Sequence, residues 1–112
     1  MTNDRSAILE LADSLINGDR NDQYGDPIDD FRTTADLWTT YIRRIVDRRE
    51  STQLMPHDVA AMMMLLKVAR LTWSPEKEDH WVDAIGYAAC GWDCVQNQGP
   101  IDEWDNLLEE PF

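Results

Sequence analysis

Two aspartates four residues apart are the clearest candidates for chemistry in this sequence. Asp79 and Asp83 lie in the stretch EDHWVDAIGYAACG, residues 78–91, whose other positions are mostly apolar. A spacing of four places both carboxylates on one face of a helix. On a buried surface they cost free energy unless a cation, a metal ion or a hydrogen-bond donor compensates them. Because Mg²⁺ binds carboxylate oxygens, the pair predicts either a metal site or an ion-pair network.

Two basic residues precede this pair, on the other side of a short connector. Lys67 and Arg70 lie in LLKVARL, residues 65–71, and TWSPEK follows before the aspartates. A short connection favours antiparallel helices, so the end of one helix lies beside the beginning of the next. There the cations could contact phosphate oxygens. They could instead pair with the aspartates, Lys67 with Asp83 and Arg70 with Asp79. Spacing alone leaves both interpretations open.

The elements that must position these residues are helices. Apolar residues recur at intervals of three and four through most of the chain, and no strand-like alternation persists. The predicted helices cover about residues 5–17, 27–49, 56–71 and 78–96, with the polar loop GDRNDQYGDP between the first two. We therefore expect an all-α fold, an antiparallel bundle of about four helices. Because a chain of this size buries a limited core, dimerisation or higher oligomerisation should complete it.

The domain organisation is predicted to be simple. The chain has 112 residues, the length of one domain. Residues 1–98 form a single helical bundle domain in this prediction, and residues 99–112 form an acidic C-terminal tail. The tail can add a short helix with Ile101, Trp104 and Leu108 on its apolar side.

Further carboxylates should reach the same end of the bundle from the beginning of the second predicted helix. The segment QYGDPIDD, residues 23–30, contains Asp29 and Asp30, and Asp36 follows two turns later. These three are weaker candidates for metal ligands. Asp58 should lie at the opposite end, since nine residues separate it from Lys67, about 13 Å along a helix axis.

Composition excludes several classes of function. The chain has 22 acidic and 10 basic residues, a formal net charge of −12, which disfavours binding along a nucleic-acid backbone. No apolar run approaches the roughly 18 residues that a membrane span requires, and no signal peptide is recognisable. Two cysteines at a helical spacing fit reduced thiols. We expect a cytoplasmic protein without a membrane partner.

These segments together resemble a known family. LLKVARL followed by EDHWVDAIGYAA is similar to the last two helices of the MazG-like, all-α nucleoside triphosphate pyrophosphohydrolases. The similarity is greatest to their small, divergent, phage-encoded relatives. RNDQYGDPIDDFRTTADLW, residues 20–38, resembles the tyrosine-glycine-aspartate segment and the tryptophan-bearing helix of the same relatives. The resemblance covers about residues 17–95.

The resemblance implies an enzyme that dimerises or tetramerises, binds Mg²⁺ and cleaves NTP or dNTP to NMP and pyrophosphate. Asp79 and Asp83 would then bind the metal and act in catalysis. Lys67 and Arg70 would bind the substrate phosphates. If the chain is phage-encoded, the compartment is the cytoplasm of a bacterial host.

Two tyrosines are candidates for contact with the nucleoside. They are Tyr24, in the segment before the second predicted helix, and Tyr87, one turn after Asp83. Tyr87 could equally be a core aromatic residue.

One motif of the active enzymes does not occur at its expected place. Those enzymes carry E-E-x-x-E on the preceding metal-binding helix, whereas the third predicted helix has Asp58 as its acidic residue and no glutamate. Two alternatives to catalysis therefore stay open. The protein could bind or sequester a nucleotide without cleaving it, or it could be an acidic phage protein that inhibits a host factor.

Overall fold

The structure is a computed structural model that describes residues 4–103, and this part of the chain is helical without a β-strand. Its α-helices are α1 Asp4–Ile16, α2 Arg20–Tyr24, α3 Pro27–Arg48, α4 Pro56–Leu71 and α5 Glu78–Asn97. The all-α prediction is confirmed. Residues 101–103 are also helical. The remainder of the predicted tail helix, with Trp104 and Leu108, lies outside the described residues.

A proline is the first residue of both α3 and α4. Pro27 follows the N-cap residue Asp26, and Pro56 follows Met55. The fixed φ of proline suits the first helical position, where its missing N–H is not needed. At the start of α4 the Met55 N–H donates to the Asp58 carboxylate at 2.7 Å. Asp58, three residues after the N-cap, thus satisfies the N-cap N–H, as the acidic residue of a capping box does.

The prediction of a continuous polar loop between the first two long helices is wrong, because the segment contains α2. Arg20 holds this helix in place by donating to the Gly25 carbonyl at 3.1 Å and to Asp30 Oδ2 at 2.8 Å. Gly25 ends the helix at φ +79°, and Trp73 ring atoms lie 3.2 Å from where a Cβ would stand. These are tertiary contacts, and they form α2 although its sequence has only a weak helix propensity. They leave no periodic pattern of apolar residues in the sequence.

The central helix is α4, which packs against α3 on one side and against α5 on the other. Its contacts with α3 run in opposite directions along the two helices. Arg70 Nε lies 3.6 Å from Asp30 Oδ2, whereas Asp58 accepts a hydrogen bond from Tyr41 at 2.6 Å. Late residues of α4 thus meet early residues of α3, so the two helices are antiparallel as predicted.

The α4–α5 pair is also antiparallel, with a close contact at Gly91. Lys67 contacts Asp83 at one end, and the His57 N–H donates to Gln98 Oε1 at the other. A Cβ on Gly91 would lie 3.0 Å from the Ala60 Cβ. The glycine therefore permits the close approach that lets α4 and α5 share a core.

The end of the molecule far from Lys67 is closed by buried Asp58. Its carboxylate accepts hydrogen bonds from both terminal nitrogens of Arg49, at 2.8 and 2.9 Å, and from the Tyr41 hydroxyl. Burial alone would raise the pKa of Asp58, but the hydrogen bonds from Arg49 and Tyr41 lower it to about 2. As predicted, Asp58 lies away from the candidate site. Its fully satisfied oxygens indicate a structural role.

Two further observations concern the described helices themselves. None of the described helices is both long enough and apolar enough to span a membrane. The first helix, α1, packs on α2 and has no buried residue.

Candidate functional site

The end of α4 and the beginning of α5 bring Lys67 beside Asp83. Lys67 Nζ lies 2.8 Å from Asp83 Oδ2, and the lysine side chain is mostly buried while 47% of the aspartate side chain is exposed. The hydrogen bond and the charge of Lys67 lower the pKa of Asp83. The Asp83 carboxylate is thus ionised and partly exposed to solvent, and the mostly buried Lys67 ammonium lies next to it.

Asp79 lies one turn before Asp83, and both aspartates are exposed. The expectation that they occupy a buried surface is therefore wrong for this chain. The side of α5 that packs on α4 carries instead His80, Ala84, Tyr87 and Gly91. The two aspartates flank that side and point to solvent. Carboxylates that are four residues apart and open to solvent are available to a hydrated cation.

Arg70 faces Asp30 on α3 and not Asp79, which corrects the predicted second ion pair. Asp30 is buried, and its Oδ2 accepts from Arg20 at 2.8 Å while Arg70 Nε lies 3.6 Å away. The other oxygen of Asp30, Oδ1, and Arg70 Nε have no hydrogen-bond partner in the described part of the chain. Asp30 therefore serves first to hold two arginines at this end of the molecule.

The other two aspartates of α3 lie in different surroundings. Asp29 is exposed and lines a cavity of about 220 Å³ together with Asp30, Tyr24 and Trp73. Asp36 is exposed, and its backbone carbonyl accepts from the Thr40 hydroxyl. Within residues 4–103 no three histidine, cysteine, aspartate or glutamate side chains form a cluster that could hold a metal ion. A cation at this end would therefore have few protein ligands.

Tyr24 orients the arginines. The Arg70 guanidinium lies 4.1 Å from the centroid of the Tyr24 ring, and that of Arg20 lies 5.6 Å away. The ring also contacts His80, with 5.6 Å between centroids. A cation over an aromatic face is attracted to the ring electrostatically, and this attraction restricts its movement. Tyr24 thus fixes Arg70 and lines the cavity beside Asp30.

Sequence analysis missed the role of Ser74, which joins α2, the α4–α5 connector and α5. The Ser74 hydroxyl donates to the Gln23 carbonyl at 2.5 Å. Since a hydroxyl carries one proton, it accepts from His80 Nε2, which lies 3.1 Å away. Burial, together with the charges of Lys67 and Arg70, lowers the pKa of His80. His80 is therefore a neutral structural side chain, and no spacing rule marks Ser74 as its partner.

A surface groove runs along α5 from the Lys67–Asp83 pair. It has a volume of about 360 Å³ and is lined by Val82, Asp83, Gly86, Tyr87 and Cys90. The groove brings together two residues predicted for different roles, Asp83 and Tyr87. A Cβ on Gly86 would meet no atom within 4 Å. Packing among residues 4–103 thus gives no reason for this glycine, although glycine in a helix costs about 1 kcal/mol relative to alanine.

Comparison with known proteins identifies relatives of the whole domain. Residues 7–95 match the family described as "Domain of unknown function (DUF6378)". The Gene 55 protein of Mycobacterium phage L5 is 36% identical over 113 residues, and the Gene 55 protein of Mycobacterium phage D29 is 33% identical over 107 residues. Each alignment covers 94% of this chain and 66% of the relative, so the chain spans just under two thirds of their length. No solved structure matches the chain.

Proposed function

The chain belongs to the DUF6378 family and has phage-encoded relatives, and we propose that it is a Mg²⁺-dependent nucleoside triphosphate pyrophosphohydrolase. The substrate would be NTP or dNTP, the products NMP and pyrophosphate, and the compartment the cytoplasm of a bacterial host. One observation carries the proposal. The half-exposed carboxylate of Asp83 lies 2.8 Å from Lys67 and lines the same groove as Tyr87.

The residues that would hold Mg²⁺ are Asp79 and Asp83. Mg²⁺ keeps several waters and binds nucleotide sites through one or two carboxylates plus substrate phosphates. Two exposed carboxylates one turn apart fit this demand without a third protein ligand. Bound there, the ion would supply charge neutralisation at the phosphates. Asp29 and Asp36 are exposed and remain weaker candidates, whereas Asp30 is already paired with arginines.

The cations of this end would bind the triphosphate. Negative charge on the phosphoryl oxygens rises as the bond to the leaving group breaks, and fixed cations stabilise that charge. Lys67 is held by Asp83, and Arg70 is held over Tyr24, so neither cation loses much freedom when it meets a phosphate. Arg70 Nε is buried 3.6 Å from Asp30 Oδ2, so the guanidinium is held at this end by its charge pair as well as by the Tyr24 ring.

The chemical step would be the attack of water on the α-phosphorus. A P–O bond to water forms, the bond from the α-phosphorus to the bridging oxygen breaks, and pyrophosphate leaves. Asp79 or Asp83 would accept the proton that the water loses. Tyr87 would contact the nucleoside from within the groove, and Gly86 would let it approach the helix backbone.

A second candidate is a protein that binds the same nucleotide without cleaving it. It is favoured by the small number of carboxylates, since residues 4–103 contain no cluster of three metal-binding side chains. In that case Lys67, Arg70 and the groove keep their roles, and the ligand is released unchanged.

The test is pyrophosphate release from each of the eight common NTPs and dNTPs in Mg²⁺. We expect turnover of at least one, and its loss in Asp83→Ala. The matched control is Asp93→Ala, an exposed aspartate ten residues further along α5, which should retain activity. If none of the eight triphosphates is turned over, the proposal of a pyrophosphohydrolase is wrong. Calorimetric binding with the ligand recovered intact would then establish the second candidate.

A further inference from the structure

The cavity beside Asp30 is a second place in this molecule where a ligand could bind. It has a volume of about 220 Å³, and Asp29 and Asp30 of α3 line it together with Trp73 of the α4–α5 connector. It is smaller than the roughly 300–1,000 Å³ of sites for drug-sized ligands, so it suits a small molecule. The groove along α5 shares no lining residue with it. A ligand in this cavity would therefore occupy a site of its own.

One carboxylate oxygen of Asp30 has no hydrogen-bond donor. The side chain of Asp30 is fully buried, and both Arg20 and Arg70 approach the same oxygen, Oδ2. The other oxygen, Oδ1, accepts no hydrogen bond from residues 4–103. A buried acceptor that is left unpaired costs free energy, so a ligand that donates to Oδ1 would recover that cost.

The other polar side chains that line the cavity also offer acceptors. The Thr33 hydroxyl donates to the Asp29 carbonyl at 3.1 Å, and the Thr72 hydroxyl donates to the Ala69 carbonyl at 2.6 Å. Because each hydroxyl carries one proton, its lone pairs are what it has left for a ligand. The Tyr24 hydroxyl can donate or accept. The cavity thus favours a ligand that donates hydrogen bonds, and it disfavours a phosphate group.

Trp73 gives the cavity a fixed aromatic wall. Its indole N–H donates to the Asp22 carbonyl at 3.0 Å, and its ring atoms lie 3.2 Å from where a Cβ on Gly25 would stand. Even so, 56% of this residue is exposed. An exposed indole face attracts organic cations. Because the ring is already held in place, little freedom is lost when a ligand binds against it.

The charge around the cavity is negative. Residues 19–30 contain five aspartates and one arginine, and Arg70 of α4 is the second arginine at this place. Five carboxylates and two guanidinium groups leave a net charge of −3. Asp29 is among the exposed carboxylates. A positively charged ligand would therefore gain from the surrounding field as well as from a hydrogen bond to Asp30.

We propose that this cavity binds a small organic cation that carries N–H donors, of the class of the primary diamines. One ammonium group donates to Asp30 Oδ1 and lies beside the Trp73 ring, and the other lies near the carboxylate of Asp29. A metal ion suits the cavity less, because an indole face offers it no ligand atom and the described part of the chain has no cluster of three metal-binding side chains. The proposal does not rest on the proposed function, since the groove along α5 is separate.

The first test is calorimetric titration of the full-length chain with 1,4-diaminobutane at low ionic strength. We expect saturable binding of one ligand per chain, weakened by added salt. Tetramethylammonium has the charge without an N–H, and 1,4-butanediol has donors without the charge. Each should bind at least about tenfold more weakly, because a hydrogen bond between charged groups is among the stronger ones. No saturable binding of the diamine, or equal affinity for tetramethylammonium, would overturn the proposal.

The second test locates the bound diamine. Asp30→Asn also disturbs the two arginines, so the informative variant is Asp29→Asn, at an exposed position, which should weaken binding roughly fivefold. The matched control Asp47→Asn, an exposed aspartate near the other end of α3, should bind as the wild type does. In NMR spectra the indole N–H signal of Trp73, identified by its loss in Trp73→Phe, should shift during the titration. Equal affinities of the two asparagine variants, or an unmoved Trp73 signal, would place the diamine elsewhere and contradict the site.

Discussion

Asp83 and Asp58 are both ionised and paired with a cation, yet their surroundings assign them different roles. Asp58 is fully buried, and Arg49, Tyr41 and a backbone N–H satisfy its oxygens. Asp83 is half-exposed and receives its one short contact from Lys67. Ion pairs open to solvent contribute little to stability, and the Lys67–Asp83 pair is open to solvent at its aspartate, whereas breaking a fully buried pair is costly. The Lys67–Asp83 pair is therefore free to serve a ligand, and the Arg49–Asp58 pair holds the fold.

The first prediction concerns this difference. Asp58→Asn should lower the free energy of unfolding by about 3–5 kcal/mol, because it leaves the guanidinium of Arg49 without its counter-charge in a buried network. The measurement is urea denaturation followed by circular dichroism. Asp83→Asn is the control and should change stability much less. Equal losses in the two variants would contradict the assignment of roles.

The second prediction concerns His80, whose pKa is lowered by burial and by the charges of Lys67 and Arg70. In the unfolded chain histidine binds a proton near pH 6.5. The unfolded state then binds more protons than the folded state, so the free energy of unfolding should fall as pH drops below about 6.5. His80→Gln should remove this part of the pH dependence, and His57→Gln should retain it. An unchanged pH profile in His80→Gln would show that His80 is not the group responsible.

At the scale of the elements, the two glycines of α5 separate packing from ligand contact. Gly91 lies against Ala60, whereas Gly86 has open space around it. Gly86→Ala should raise the free energy of unfolding by roughly 0.5–1 kcal/mol through helix propensity. Gly91→Ala should gain less or lose stability, because its Cβ would lie 3.0 Å from that of Ala60. Thermal and urea denaturation of both variants provide the measurement.

The same pair of variants also tests the groove. If a nucleotide approaches the backbone at Gly86, then Gly86→Ala should weaken nucleotide binding while it stabilises the fold. Gly91→Ala should leave binding unchanged, since Gly91 faces α4. Unaltered nucleotide affinity in Gly86→Ala would mean that the ligand does not contact this part of α5.

The long helices could be predicted from the sequence because periodicity and proline mark them. The predicted ranges 27–49, 56–71 and 78–96 differ by at most one residue at either end from Pro27–Arg48, Pro56–Leu71 and Glu78–Asn97. The short helix α2 could not be predicted, since Trp73 and Ser74 hold it by donating to the Asp22 and Gln23 carbonyls, 51 residues away in sequence. Long-range contacts of this kind carry no local pattern.

The candidate site was predictable in part for the same reason. Antiparallel packing of α4 and α5 follows from their short connection, and it places Lys67 beside Asp83. Arg70 pairs with Asp30 because Asp30 is buried in the bundle. The spacing of residues along one helix does not show which of them is buried. The hydrogen bond of Ser74 to His80 likewise depends on where the connector folds back.

At the scale of the whole molecule, the net charge and the placement of the cations support different conclusions. The net charge of −12 disfavours binding along a nucleic-acid backbone, yet Lys67, Arg20 and Arg70 collect at one end. These cations suit the phosphates of a small polyanion, and the exposed carboxylates beside them suit a divalent cation.

The most direct measurement of the central claim is a thermal-shift and calorimetric comparison of the eight nucleoside triphosphates with and without Mg²⁺. We predict that at least one raises the melting temperature by several degrees in Mg²⁺, as saturating ligand adds about 2.7 kcal/mol at 100 times Kd. Lys67→Met should lose at least tenfold in affinity, and Arg43→Met, an exposed cation of α3, should not. If no triphosphate changes the melting temperature in either condition, the nucleotide site does not exist.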